Sequence, residues 1–370
     1  MPALQTIYDN VRVLKHKGCY ALQLEIPPES TLTERDIEMI TSLASWQRNP
    51  ADEKYEGGRS IVIPKDNPIQ RGPIIFSGLQ ISGIGYVPLQ SVQVGIAREK
   101  EHIFHPPSQQ DFRDIFSNPS IYGTTVAKNG QLHNLPSGYS PLGTYKYSEL
   151  LRKVAGTRTA AQLPLEKIMT PALEAWGFFQ EPSLSSEEGP FGFMVTAVPN
   201  VNKLRIFEEL KAKVKEHRPL SDAGIFCYEE LIRISKRCLP GLRELHTRGY
   251  AHLQPHTSNW YLIDEMPVLT DWDTLVSLNG TEEDNIAHQI IDFAQFAQHI
   301  IGTFEYLCYE KNKRVSYEVE LGLVLNMALG YNGENALEIL FEEFQKRKDI
   351  RPLEYSDAFH MWMREIINQE

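Results

Sequence analysis

Residues 249–275 read GYAHLQPHTSNWYLIDEMPVLTDWDTL. A helical period ends at HTRG just before, so Gly249 is the expected left-handed residue past a helix C-terminus. WYLID and PVLTD then form two short extended runs, a hairpin around Glu265-Met266. Such a hairpin sets Asn259, ahead of its first strand, near Asp271, behind its second. A turn cap or a strand terminator would explain either residue alone. Together they suit Mg²⁺, a hard cation that takes oxygen ligands and completes its shell with nucleotide phosphates. The expected metal ligands are therefore Asn259 and Asp271, and the expected cofactors are ATP and Mg²⁺.

Read position by position, His252, Gln254, Asn259 and Asp271-Trp272-Asp273 follow the H-x-D-x-x-x-x-N…D-F-G strip of the protein-kinase-like superfamily, which this segment resembles. More specifically it resembles the selenoprotein-O type, whose H-G-V-x-N-T-D-N…I-D-Y-G strip also lacks the catalytic Asp. The match spans about eight residues and the later Asp. It implies an α+β, two-lobed kinase-like fold with a β-rich N-terminal lobe, an α-helical C-terminal lobe and ATP-Mg²⁺ in the cleft between them. It also implies transfer of AMP or phosphate to a hydroxyl on a protein or small molecule. Two departures stand out. Gln254 occupies the position of the base, and Ser82 the position where the selenoprotein-O type keeps a Lys before a glycine.

The rest of the chain fits two lobes. Up to about residue 145, short β-type runs (GCYALQLEI, RSIVIP, PIIFSGLQIS, YVPLQSVQVGIA) are separated by Pro, Gly and Asn. From Tyr147 onward helical periods dominate: YSELLRKVAG, LEKIMTPALEAWG, NKLRIFEELKAKVKEH, YEELIRISKRCLPGLRELHTRG, NIAHQIIDFAQFAQHIIGTFEYLCYEK and three more towards the end. FGFMVTAVPN reads as a buried strand with a Pro-Asn stop, and EPSLSSEEGP as an exposed loop. The expected division is residues 1–70 as an extension of unassigned role, 71–199 as the β-rich nucleotide-binding lobe and 200–370 as the helical lobe.

In LQISGIGYVP, Gly83 and Gly85 sit between two β-type runs, where backbone amides can approach phosphate; a plain hairpin turn explains them equally. A kinase-like site also needs a strand Lys near the phosphates and a helix Glu to hold it. Lys128 with Glu166 is the expected pair, with Lys146, Lys153 and Glu174 as alternatives, against the ordinary reading of solvated charges. Asp292, on the apolar run IIDFAQFAQHIIG, is where related folds brace the catalytic loop through backbone amides.

An amide accepts no proton at neutral pH, so Gln254 is excluded as a base. His256 and Asp273 are the candidates to replace it, and metal with a cationic cradle is the third route. His252 reads as scaffold. Two other classes stay open: a pseudokinase acting as scaffold or allosteric partner, and a metal hydrolase built from His252, His256, Asp271 and Asp273. Pro255 argues against the second, because H-x-x-x-H aligns two rings only on a helix.

Composition narrows the partners. The 370 residues are 42% hydrophobic and 23% charged, a globular balance, with a formal net charge of −11. That charge and the lack of a Lys/Arg block argue against nucleic acid. Four scattered cysteines without a C-x-x-C pair indicate neither a zinc knot nor a disulfide framework. No apolar leader or membrane-length run is present, so a cytoplasmic protein that engages no membrane is expected. The sequence leaves the oligomeric state open.

Overall fold

The structure, a computed structural model, describes residues 10–18, 21–45, 47, 55–56, 60–84, 124–126, 132–134, 144–180, 185–199, 205–216, 220–308, 323, 326–327 and 330–331. Two compact units divide the chain: residues 2–161 with 171–202, and residues 162–170 with 203–370. The α+β order expected from the sequence is present, with the sheet in the first unit and the long helices in the second.

The first unit is built on strands β1 (Arg12–Lys17), β2 (Ala21–Ile26), β3 (Tyr55–Glu56), β4 (Ser60–Arg71), β5 (Ile74–Ser82), β8 (Ala172–Phe179) and β11 (Gly192–Val198). They form one sheet in the order β1-β2-β8-β11-β5-β4-β3, antiparallel at every pair. Two helices join it, α1 (Glu34–Ala44) and α2 (Tyr147–Gln162), and short strands β6 (Thr124–Val126), β7 (Leu132–Asn134), β9 (Ser185–Ser186) and β10 (Gly189–Pro190) make two small hairpins.

Alternation along the strands feeds two cores. Leu22, Leu24, Ile61, Ile63, Leu79, Ile81, Phe193 and Val195 pack with Ile37, Ile40 and Leu43 of α1. Leu173, Trp176, Phe178 and Met194 pack with Leu150, Leu151 and Val154 of α2. Because successive strand residues point to opposite faces, Phe193 and Met194 serve different cores. This explains why β11 reads as a continuous apolar run: both faces are covered, and all seven of its residues are buried.

Two expectations are corrected here, and one element was missed. Residues 12–71 supply four strands of the same sheet, so the boundary drawn at residue 70 falls inside β4. Helix α1 was not anticipated, although Thr33 and Asp36 form a capping box that the T-x-x-D spacing encodes. The helix expected over LEKIMTPALEAWG is instead a bend at residues 163–170 followed by β8. Ala172–Phe179 is buried almost throughout, and burial on two sheet faces outweighs the helical propensity of Leu, Glu and Ala.

The second unit holds α3 (Ile206–Glu216), α4 (Leu220–Thr247), strands β12 (Tyr250–Ala251), β13 (Trp260–Ile263), β14 (Met266–Leu269) and β15 (Val276–Ser277), and α5 (Glu282–Cys308). Phe293, Phe296, Ala297, Ile300 and Ile301 of α5 are buried, as are Leu231, Leu239, Leu242 and Leu245 of α4. Among the described residues no helix is long and apolar enough to cross a membrane. The run YVPLQSVQVGIA and the helices expected after residue 308 fall almost wholly outside the described residues.

Candidate functional site

The strip is assembled entirely within the helical unit. Helix α4 stops at Thr247, and Gly249 follows at φ +83°, where a Cβ would be strained. β12 then pairs with β15. β13 and β14 pair from Trp260↔Leu269 to Ile263↔Met266, turning at Asp264 and Glu265, which both have positive φ as a two-residue I′ turn requires. Arg233 and Arg237 of α4 hold the turn through Glu265. One step beyond the ladder, the Thr270 amide donates to the Asn259 carbonyl at 2.9 Å. The flanks of the hairpin thus set Asn259 beside the segment that leads into Asp271.

Asp292 of α5, fully buried, organises the loop. One oxygen accepts the His252 amide at 2.7 Å and faces His246 Nε2 at 2.8 Å, and the other accepts the Leu253 amide. Leu253 has φ +66°, a conformation a branched side chain rarely adopts, so the carboxylate offsets a backbone cost at the loop's apex. His252 has no exposure. Its Nδ1 accepts the Gln254 amide at 3.2 Å, so Nε2 carries the proton and donates to the Thr270 carbonyl at 2.9 Å. Its ring meets Trp272 edge-on at 4.8 Å between centroids. Burial lowers the pKa of His252, against an upward pull from Asp292, and a neutral ring satisfies both hydrogen bonds.

The expected ligands are held differently. Asn259 is buried; its Nδ2 donates to the Gln254 carbonyl at 2.9 Å and faces His256 Nε2 at 3.2 Å. Its amide oxygen is thereby turned towards Arg205 Nη1, a long contact of 3.5 Å. Arg205 is anchored by a 2.7 Å bond to the Ser258 carbonyl, and its guanidinium lies 5.8 Å from the Tyr261 ring. Asp271 is half-buried and left-handed at φ 66°, capping the 3₁₀ turn Trp272–Thr274. A half-buried carboxylate at the end of a hairpin fits a Mg²⁺ that takes one protein carboxylate and completes its shell with phosphate and water.

His256 stacks on His299 of α5 at 4.6 Å and 25°. Burial, then the neighbouring His299, push its pKa down to about 4, although Asp271 pulls the other way. At neutral pH it is a neutral ring and a weak proton acceptor. Asp273 is half-buried on the 3₁₀ turn, and the exposed Gln254 presents only an amide. Among the described residues no three His, Cys, Asp or Glu side chains gather to hold a metal. With both nitrogens of His252 engaged, the hydrolase cluster of His252, His256, Asp271 and Asp273 is not formed.

The phosphate-side residues are scattered. Gly85 and Lys128 lie outside the described residues. Gly83 is buried at the end of β5 with φ +96°, and a Cβ there would meet the Gly192 carbonyl at 2.9 Å. Close approach to β11 is enough to require that glycine. Glu166 is exposed on the bend, in the helical unit, where its amide and that of Lys167 donate to Glu244. It sits on no helix, which corrects the helix assumed for it. In the sheet unit Lys65 and Glu174 form a buried Lys-Glu pair, 3.8 Å apart. Lys65 also reaches the Thr31 carbonyl and Asp36, and Glu174 accepts from Ser30 and from the amide and hydroxyl of Thr31. Sequence reading missed Lys65 and Arg205 because neither stands in a motif.

No protein-family model matches the chain, and no curated protein matches it by sequence. Solved structures do match. The chain is similar to the PknI kinase domain of Mycobacterium tuberculosis, at 11% identity and a TM-score of 0.31, over 85% of this chain and 100% of that one. A mutant of the same domain gives 11% and 0.36 over 76% and 86%. WaaP in complex with acyl carrier protein gives 10% and 0.33 over 92% and 99%. At these values the likenesses assign no residue a role, and the site rests on its own geometry. The chain itself shows the order expected from the strip, a sheet followed by long helices.

Proposed function

We propose that the chain is a kinase-like transferase that takes ATP with Mg²⁺ at the 252–273 strip and moves AMP or phosphate to a hydroxyl of a protein or small molecule. One observation carries this reading: a buried carboxylate on α5 fixes the backbone of residues 252–253 through two amides, and the loop so fixed leads to an oriented Asn259 and a half-buried Asp271. The bound cation supplies neutralisation of charge that develops on the phosphates. Asp271 would hold the cation, Asn259 and Arg205 form a polar pair on the loop, and His252 ties the loop to the Thr270 carbonyl from behind.

Base catalysis has little support in the loop, since Gln254 is an amide and His256 titrates near 4. Asp273 is the remaining carboxylate for proton acceptance. Transfer here depends chiefly on positioning and charge neutralisation, which phosphoryl and nucleotidyl chemistry tolerate. The likeness of the strip to the selenoprotein-O type is what adds AMP transfer to the reading. Gln254 also favours a second reading, a pseudokinase that binds nucleotide without turnover. We also propose that the protein is cytoplasmic and engages neither membrane nor nucleic acid, the latter supported by its net charge of −11.

Thermal melting with ATP, with and without Mg²⁺, tests the site. At ligand a hundredfold above Kd a specific complex adds about 2.7 kcal/mol to stability. The expected result is a Mg²⁺-dependent rise in Tm that Asp271→Ala abolishes. ATP labelled at the α- or γ-phosphate then separates AMP transfer, phosphate transfer and binding without turnover. No stabilisation of the wild-type protein by any nucleotide would sink the proposal.

A further inference from the structure

A kinase-like site of the usual kind holds two Mg²⁺ ions, one on the Asp after the hairpin and one on the loop Asn. In this chain the second position is altered. The Asn259 nitrogen is committed to the Gln254 carbonyl at 2.9 Å and to the side of His256, which leaves its oxygen pointing at the Arg205 guanidinium, 3.5 Å away. Neither partner allows the amide to be reversed: an amide oxygen facing the Gln254 carbonyl would oppose two acceptors, and an NH₂ facing Arg205 would oppose two donors. Arg205 is no passing surface residue. It is half-buried, bonded at 2.7 Å to the Ser258 carbonyl and set against the Tyr261 ring. A guanidinium stays charged at every accessible pH and is more weakly hydrated than an ammonium, so it can remain in such a place. A dication on the Asn259 oxygen would lie within a few ångström of that fixed positive charge, and repulsion between them is strongest where water is scarce.

We propose that Arg205 stands in for the second cation, so that this site takes a nucleoside triphosphate with a single divalent ion at Asp271. The inference rests on the nucleotide reading given above and makes it more specific. Arg205 is then a phosphate-facing binding residue, a fixed positive charge held beside the Asn259 oxygen. Unlike a bound ion, this charge is independent of free Mg²⁺ concentration. Nucleotide binding should saturate at the Mg²⁺ level that fills one site, with no second phase at millimolar excess.

Mn²⁺ as an electron-paramagnetic probe, with a non-hydrolysable ATP analogue and the full chain, counts the ions directly. One Mn²⁺ per nucleotide-bound protein is expected for the wild type. Arg205→Lys keeps the charge and should keep the count at one with weaker nucleotide binding. Arg205→Ala should lose at least tenfold in nucleotide affinity at low Mn²⁺ and recover part of it, with a second bound ion, at high Mn²⁺. Melting without nucleotide confirms that each variant is folded, and if Arg205→Ala is not, the wild-type and Arg205→Lys counts decide alone. Two Mn²⁺ in the wild-type complex, or an Arg205→Ala protein unchanged in both count and affinity, overturns the inference while leaving nucleotide binding intact. Absence of any analogue binding to the wild type, with or without Mn²⁺, overturns the nucleotide reading and this inference with it.

Discussion

Asp292 joins three segments through one buried carboxylate: His246 of α4, the His252–Leu253 loop and its own helix. Removing it orphans two amides and a histidine away from water. Asp292→Ala is therefore expected to cost about 2–5 kcal/mol, since each buried donor left unpaired costs about 1–3 kcal/mol, and Asp292→Asn less, both read by chemical denaturation. A loss below about 1 kcal/mol would mean that the loop holds itself. His256 makes the second residue-scale prediction. Free imidazole titrates near 6.5, but His256 in the fold titrates at about 4. Between those values the unfolded chain binds a proton that the folded chain does not, so stability falls as pH drops from about 6.5 towards 4. His256→Asn should flatten part of that decline in Tm against pH, and an unchanged slope would contradict the assigned pKa. The histidine was visible in the sequence, but its weakness as a base was not, because that comes from burial and from His299, more than forty positions away.

At the scale of elements, strand β2 carries an unusual acid. Glu25 is 4% exposed, pairs with Trp176 of β8, and accepts a 2.8 Å bond from Gln23. Burial pushes its carboxyl up. The folded state then holds its proton to higher pH than the unfolded state does, so stability is present at low pH and declines as pH rises from about 4.5 through the raised value. Glu25→Gln should melt like the wild type near pH 4.5 and above it at pH 7.5. Equal melting at both would show that the carboxyl ionises freely. Elements also separate what was legible from what was not. The hairpin was legible because WYLI and MPVL flank a two-residue turn, a local pattern. Helix α1 was legible only through Thr33 and Asp36, a short signal in an otherwise unassigned region. β8 was misread as helix because the burial of its two faces comes from the cores it shares with α1 and α2, not from its own spacing.

Across the whole molecule, the net charge of −11 opposes an anionic ligand at long range. The Debye length shortens from about 30 Å at 0.01 M salt to about 8 Å at 0.15 M, so added salt should speed nucleotide association by screening the general repulsion. Stopped-flow rates that fall with salt would mean instead that a local field such as that of Arg205 dominates the approach. The sequence by itself determined the α+β order, the helix stop at Gly249, the hairpin and the residue types at positions 252–273, because each depends on neighbours a few positions apart. Tertiary structure alone decided that strands β1, β2, β3 and β4 belong to the main sheet, that Lys65 pairs with Glu174, and that Arg205 faces the Asn259 oxygen. Those contacts join residues tens to a hundred positions apart, and no local period or motif records which distant side chain will share a buried charge.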